Sequence, residues 1–143
     1  TVTIHSNKDK TKAGSRMWIH ARNVAAAILF LLKWKGPISG LKEHGKDIWP
    51  GHAPFLYAAN KFNIVGEKEV DNLAMAQFIA NVVGKPLNYE MVDFHSSRPG
   101  HDLRYALDGE KMRKLGWSLP ITFEESLRKT IEWTLKNKKW LIK

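Results

Sequence analysis

Arg98-Pro99-Gly100-His101-Asp102-Leu103-Arg104-Tyr105-Ala106-Leu107-Asp108 is the stretch on which the interpretation of this chain depends. It joins a predicted strand over 87–93, where apolar and polar residues alternate, to a predicted short helix over 109–115. Proline presets one turn dihedral and glycine accepts the other without steric cost, so the stretch predicts a sharp turn at Pro99-Gly100.

The chemistry of this stretch suits an anion. Two guanidiniums, an imidazole and a carboxylate surround the turn. Planar cationic donors held by a rigid loop can bind phosphate oxygens in pairs of hydrogen bonds. The alternative is that the two arginines form ordinary surface ion pairs with nearby acids, which are common. The arginines are Arg98 and Arg104, and the acids are Asp93, Asp102 and Asp108.

Composition limits the classes of function. The 143 residues are the length of one domain, and we interpret 1–143 as a single domain. The absence of cysteine excludes disulfides and thiolate metal sites, and the six histidines lack the helical spacing of a zinc site. The net charge of +9 predicts attraction to anions, but it is spread along the chain without a nucleic-acid module, so we expect no nucleic-acid partner.

Hydropathy predicts a chain that stays in the cytoplasm and has no membrane partner. The longest apolar run, Val24–Leu32, has nine residues and is too short to span a bilayer. No signal peptide is visible in the first twenty residues.

Periodicity predicts three main helices and a few short strands. The helices are 24–33, capped by Asn23 and buried on all sides; 73–83, starting at Asn72 and ended by Gly84; and 123 to about 136, with a capping box from Thr122 to Glu125. Strands are predicted at 2–5, 62–65 and 87–93, and we interpret 37–58, rich in glycine, proline and histidine, as a loop or insertion.

Several segments together resemble one family. Gly14-Ser-Arg-Met-Trp-Ile-His20, followed by Asn23-Val-Ala25, and Phe62-Asn-Ile-Val-Gly66 are similar to segments of extended short-chain dehydrogenase/reductases. The stretch 98–108 is very similar to that of nucleotide-sugar 4,6-dehydratases, above all the dTDP-glucose type, and 115–117 with 123–140 resembles their C-terminal helix and tail. The chain departs from the pattern at Ser97 and Asn23, where the family usually has aspartate, and over 37–58.

The resemblance implies the C-terminal, substrate-binding part of such an enzyme, with the NAD-binding Rossmann half absent. Tyr57-Ala-Ala-Asn-Lys61 has the spacing of the catalytic Tyr-x-x-x-Lys, but Lys61 leads into a predicted strand, so we interpret it as a coincidence. No Gly-x-x-Gly-x-x-Gly turn is present either. We therefore assign no catalytic, metal or cofactor-binding residue to this chain, although the full-length family uses NAD.

The same resemblance implies which residues bind a nucleotide-diphosphate sugar. Arg16 would contact phosphate, Asn72 the nucleotide side, and the loop Ser97-Arg98-Pro99-Gly100-His101 the pyrophosphate and its surroundings. From chemistry alone, Asn72 is equally well an ordinary helix N-cap, and His101 a hydrogen-bonding residue that shapes the turn. We favour core packing for Tyr105.

Two hypotheses for the function follow. The first is the substrate-binding domain of an NAD-dependent nucleotide-sugar 4,6-dehydratase or epimerase, not catalytic alone. The second is a stand-alone, non-catalytic nucleotide-sugar-binding module, or one that completes a site with a separate Rossmann chain. Since an apolar face would be exposed without that half, we also expect a homo-oligomer.

Overall fold

The computed structural model describes residues 1–34, 42–43, 46–47, 61–97, 99–100 and 102–141, and at 42–43, 46–47 and 97 it describes the backbone alone. Short strands and helices follow one another along the chain, which confirms the predicted α/β class. The elements are β1 (Val2–Ser6), β2 (Ser15–Arg16), α1 (Ala21–Lys33), β3 (Lys42–Glu43), β4 (Lys46–Asp47), β5 (Val70–Asp71), α2 (Asn72–Val83), β6 (Tyr89–Asp93), α3 (Phe94–Ser97), β7 (Arg104–Tyr105), α4 (Glu110–Lys114), α5 (Phe123–Lys136) and a 3₁₀ turn (Lys138–Trp140).

The contacts within the chain define two compact units. The first contains Thr1–His20, Val65–Leu107 and Ile121–Lys143, and the second contains Ala21–Ile64 and Asp108–Pro120. Of the stretch 37–58, the described part is a pair of antiparallel two-residue strands, β3 and β4. The remainder of that stretch, including Tyr57, lies outside the described residues.

The first unit is built on two small sheets and the helices α2, α3 and α5. β1 and β6 pair in parallel, from Val2 opposite Tyr89 to Ser6 opposite Asp93, and bury Ile4 and Ser6. The second sheet has the strand order β5–β2–β7. α2 lies against both β1 and α5. The predicted strand at 2–5 and the predicted helix ending at 136 are thus confirmed.

The ends of α2 correct one prediction and confirm another. The N-cap is Asp71, whose carboxylate accepts a hydrogen bond from the amide of Ala74 at 2.8 Å, and Asn72 is already the first helical residue. The predicted cap at Asn72 is therefore wrong by one position. Gly84 ends the helix as predicted, with a φ of 72° that glycine adopts without strain.

The second unit overturns the predictions for α1. The helix begins at Ala21, because alanine and arginine are good helix formers, so Asn23 lies inside the helix, 2% exposed, and is not its cap. The helix is not buried on all sides either. Its apolar contacts come from one side, and Ile28, Leu29 and Leu32 are exposed.

The core of the second unit is small, and its chain around residue 62 is irregular. Ala27, Met112 and Leu115 are buried within it. The segment predicted as a strand at 62–65 forms no strand. Asn63 donates to the carbonyl oxygen of Asp108 at 3.0 Å through its side chain, an interaction that holds this segment without a partner strand.

Within the described residues, no helix combines the length and apolar character needed to cross a membrane.

Candidate functional site

The sheet β5–β2–β7 brings together segments that are far apart in sequence. β2 is its central strand and pairs antiparallel with β5 and parallel with β7. Asn72 follows β5 directly, and β7 is preceded by the loop that contains Pro99 and Gly100. Three of the segments proposed from the sequence therefore meet at this sheet, with Arg16 at its centre.

The side chain of Arg16 donates hydrogen bonds to the backbone just before β7. Its Nη1 atom donates to the carbonyl oxygens of Ser15 (2.7 Å) and Leu103 (3.2 Å), and its Nη2 atom donates to the carbonyl oxygen of Asp102 (3.3 Å). The guanidinium also lies over the ring of Tyr105, 5.6 Å from the ring centroid. A guanidinium carries five N–H donors, so two of them make no hydrogen bond to the part of the chain that the structure describes. Tyr105 is exposed, at 58%, so the predicted core packing of this ring is wrong.

Asn72 is fixed by its backbone. Its amide donates to the carbonyl oxygen of Gly14 at 2.8 Å, while the amide of Ala74 is used by Asp71. The space beside Gly14 is narrow, since a Cβ there would meet the Leu103 carbonyl oxygen at 3.1 Å and the Asn72 Nδ2 atom at 3.3 Å. The Asn72 side chain therefore lies beside the strand that carries Arg16.

The Pro99-Gly100 turn is described in part. Gly100 has a φ of 84°, a conformation that favours glycine, and both residues are exposed in a turn. Arg98 and His101 lie outside the described residues, and at Ser97 only the backbone is described, as the last residue of α3.

One site feature was not predicted from the sequence. Arg104 forms a bidentate ion pair with Glu69, with Nε 2.9 and 3.0 Å from the two carboxylate oxygens and Nη2 2.7 Å from Oε2. The hydroxyl of Ser15 donates to the same carboxylate. Arg104 therefore forms an ion pair, as in the alternative to the anion site, but its partner is an acid 35 positions away and not one of the three nearby aspartates.

These contacts shift two pKa values. The hydrogen bonds from Arg104 and then from Ser15 lower the pKa of Glu69, and the carboxylate in turn raises the pKa of Arg104. Both groups are therefore charged at neutral pH. No local pattern predicts this pair, although an acid directly before a strand and an arginine at the start of another are compatible with it.

Among the described residues, no group of three or more histidines or acids is arranged to hold a metal ion. The glycine-rich turn that binds a dinucleotide is missing from the sequence.

The chain is similar in sequence to several dTDP-glucose 4,6-dehydratases. The chain is 38% identical over 135 residues to "dTDP-glucose 4,6-dehydratase 1" of Escherichia coli K12, covering 82% of this chain and 37% of that protein. It is 43% identical over 107 residues to the dTDP-glucose 4,6-dehydratase of Neisseria meningitidis, covering 62% of this chain and 30% of that protein. No family profile matches the chain.

The structural comparison agrees. The crystal structure of dTDP-glucose 4,6-dehydratase from Bacillus anthracis in complex with NAD matches 96% of this chain with a TM-score of 0.63 and 26% identity. The match covers 35% of that structure. In the sequence comparisons, likewise, the chain spans about a third of the length of the curated relatives. The predicted resemblance is confirmed: the chain is a partial-length relative of the dTDP-glucose 4,6-dehydratases.

Proposed function

We propose that this chain binds the nucleoside diphosphate of a nucleotide sugar, as the substrate-binding part of an NAD-dependent 4,6-dehydratase or epimerase. The observation that carries the proposal is the sheet β5–β2–β7, in which Arg16 is central, Asn72 follows one edge strand and the Pro99-Gly100 turn precedes the other. The relatives named for dTDP-glucose support a nucleotide-sugar ligand.

The diphosphate is assigned to arginine. Within the described residues, Arg16 keeps two N–H donors beyond those that hold the backbone, and Arg98, directly before Pro99 in the sequence, supplies a second guanidinium. Two negative phosphates between two such groups form charge-assisted hydrogen bonds in pairs. The net charge of +9 attracts this ligand from a distance.

The remaining roles follow from position along the chain. Asn72 offers a side-chain amide to the nucleoside, and His101 and Ser97 offer polar groups beside the pyrophosphate. Pro99 and Gly100 shape the turn between Arg98 and His101, and Gly100 takes a positive φ there.

NAD does not fit the residues of this chain. A dinucleotide needs a glycine-rich turn between a strand and a helix, and these 143 residues contain none. We therefore assign no NAD-binding residue to this chain.

Thermal-shift titrations of the chain with dTDP, UDP, GDP and NAD test the proposal. A ligand at 100 times its dissociation constant adds about 2.7 kcal/mol to the free energy of unfolding, which moves the midpoint visibly. We expect a shift with at least one nucleoside diphosphate and none with NAD. Arg98→Ala should remove that shift.

The matched control is Arg113→Ala, which removes an arginine that is paired with Glu110 on α4 and exposed to 69% of its side-chain surface. It should leave the shift unchanged. No shift with any nucleoside diphosphate, or equal losses in the two arginine variants, would contradict the proposal.

A further inference from the structure

The ion pair between Glu69 and Arg104 ties together two strands that do not pair with each other. Glu69 directly precedes β5 and Arg104 opens β7, and these strands lie on opposite sides of β2. The carboxylate reaches Arg104 across Ser15, which donates its hydroxyl to it. The interaction thus spans the whole width of the sheet.

The register places this ion pair on the face away from Arg16. Residues directly opposite in a sheet share a face, and neighbours along a strand point to opposite faces. Ser15 is opposite both Asp71 and Arg104, whereas Arg16 is opposite Val70 and Tyr105. The ion pair therefore lies behind the strands that carry the proposed ligand-binding groups.

Each end of the ion pair adjoins a proposed binding segment. Three residues after Glu69 comes Asn72, the first residue of α2. Three residues before Arg104 comes His101, the last residue of the proposed loop. β5, β2 and β7 are very short, with two described residues each, so few backbone hydrogen bonds oppose a shift between them.

We infer that Glu69 is a positioning residue, which, through Arg104 and Ser15, fixes β7 and the Pro99-Gly100 turn before it relative to Asn72. This inference rests on the proposed function for its effect on ligand binding. The residue does not contact the ligand itself but holds the two strands that present the binding groups. Bidentate geometry supports this role, because isolated single-contact surface ion pairs contribute little.

The test combines a ligand-free and a ligand-bound measurement on the same variants. Hydrogen exchange measures how often two backbone hydrogen bonds open. In one the amide of Ser15 donates to the Leu103 carbonyl oxygen, and in the other the amide of Asn72 donates to the Gly14 carbonyl oxygen. Titration calorimetry with dTDP, UDP and GDP reports binding. In Glu69→Gln we expect exchange at Ser15 to become about fivefold faster and the nucleoside diphosphate to bind about fivefold more weakly.

The matched control is Glu124→Gln. It removes an exposed ion pair, 2.9 Å long, that connects Lys68, the residue before Glu69, to α5 and not to β7. Its urea midpoint should fall no further than that of Glu69→Gln, while exchange at Ser15 and the dissociation constant stay unchanged. The double variant Glu69→Arg/Arg104→Glu restores opposite charges and should recover part of the affinity.

The outcomes separate this inference from the proposed function. If exchange at Ser15 is faster in Glu69→Gln but the unmodified chain binds no nucleoside diphosphate, the role of Glu69 in holding the two strands is supported and the proposed function is overturned. Binding by the unmodified chain that Glu69→Gln leaves intact would overturn the inference alone. Equal effects of Glu69→Gln and Glu124→Gln on binding would also overturn it, because the role would then be general stability.

Discussion

The amide of Asn72 donates a hydrogen bond to the carbonyl oxygen of Gly14, 2.8 Å away, and so fixes the start of α2 to the strand that carries Arg16. The cap of the helix is made by a different residue, Asp71. The side chain of Asn72 is therefore available for a role other than capping, and the two roles can be tested by separate substitutions.

Asp71→Ala should lower the free energy of unfolding by about 1 kcal/mol, because it leaves the amide of Ala74 without its capping acceptor. Asp71→Ser should restore most of this loss. Asn72→Ala should change stability little but weaken nucleoside diphosphate binding. Urea unfolding and calorimetry of the three variants check these outcomes. If Asn72→Ala lowered the free energy of unfolding as much as Asp71→Ala does, the assignment of Asp71 and not Asn72 as the helix cap would be contradicted.

Gly66→Ala should be strongly destabilising. A Cβ at this position would lie 2.0 Å from the carbonyl oxygen of Trp18, so the backbone must move, at a cost of about 3 kcal/mol. The control is Gly84→Ala, where nothing lies within 4 Å but φ is 72°, at a cost of about 1 kcal/mol. Urea midpoints compare the two, and a larger loss at Gly84 would show that the chain around Gly66 adapts.

Stability should decrease in acid through two carboxylates. Hydrogen bonds from Arg104 and Lys68 lower the pKa values of Glu69 and Glu124, respectively, below the ordinary 4.5. A carboxylate whose folded pKa is lowered stabilises the fold above its unfolded pKa, and this contribution is lost as pH falls through the folded pKa.

Urea titrations from about pH 7 to about pH 3 measure this dependence. The free energy of unfolding should fall less steeply below pH 4.5 in Glu69→Gln/Glu124→Gln than in the unmodified chain. Parallel profiles would show that other carboxylates account for the acid dependence.

Arg16→Lys should weaken ligand binding although it keeps the charge. A lysine cannot reproduce the planar arrangement with which Arg16 contacts the Leu103 and Asp102 carbonyl oxygens at 3.2 and 3.3 Å. Calorimetry with nucleoside diphosphates should show a lower affinity, and hydrogen exchange near β7 should accelerate. Unchanged affinity would mean that charge alone is sufficient at this position.

Self-association should depend on α1. Leu32 is 77% exposed, and Ile28 lies one turn before it on the same side at 47%. We expect sedimentation velocity to show concentration-dependent association that Leu32→Gln reduces. A strict monomer at high concentration would rule out association through this helix face.

Local patterns located most of the regular elements. The strand at 2–5, the helices at 73–83 and 123–136, and the glycine that ends α2 agree with the structure to within one or two residues. Their signals lie within each segment: alternation, a three-to-four-residue period, and a residue that accepts positive φ.

The rest depended on contacts between distant residues. The cap at Asn72 was misplaced by one position because aspartate and asparagine cap helices about equally. The cap at Asn23 was misplaced because the alanine and arginine before it also favour the helix. The burial of α1 and the strand at 62–65 were wrong because both depend on which elements pack nearby. The same holds for Glu69 and Arg104, whose pairing follows from strand order alone.

The pairing of strands also has a consequence for how the chain is made. The two parallel pairs join distant residues: Val2 is opposite Tyr89, and Ser15 is opposite Arg104. During synthesis β1 has no parallel partner until the chain has grown to residue 93, and β2, which can pair with β5 earlier, gains its parallel partner only at residue 105. Late closure of such long loops slows folding, and until then a chaperone or a nascent-chain partner can bind these exposed strand edges.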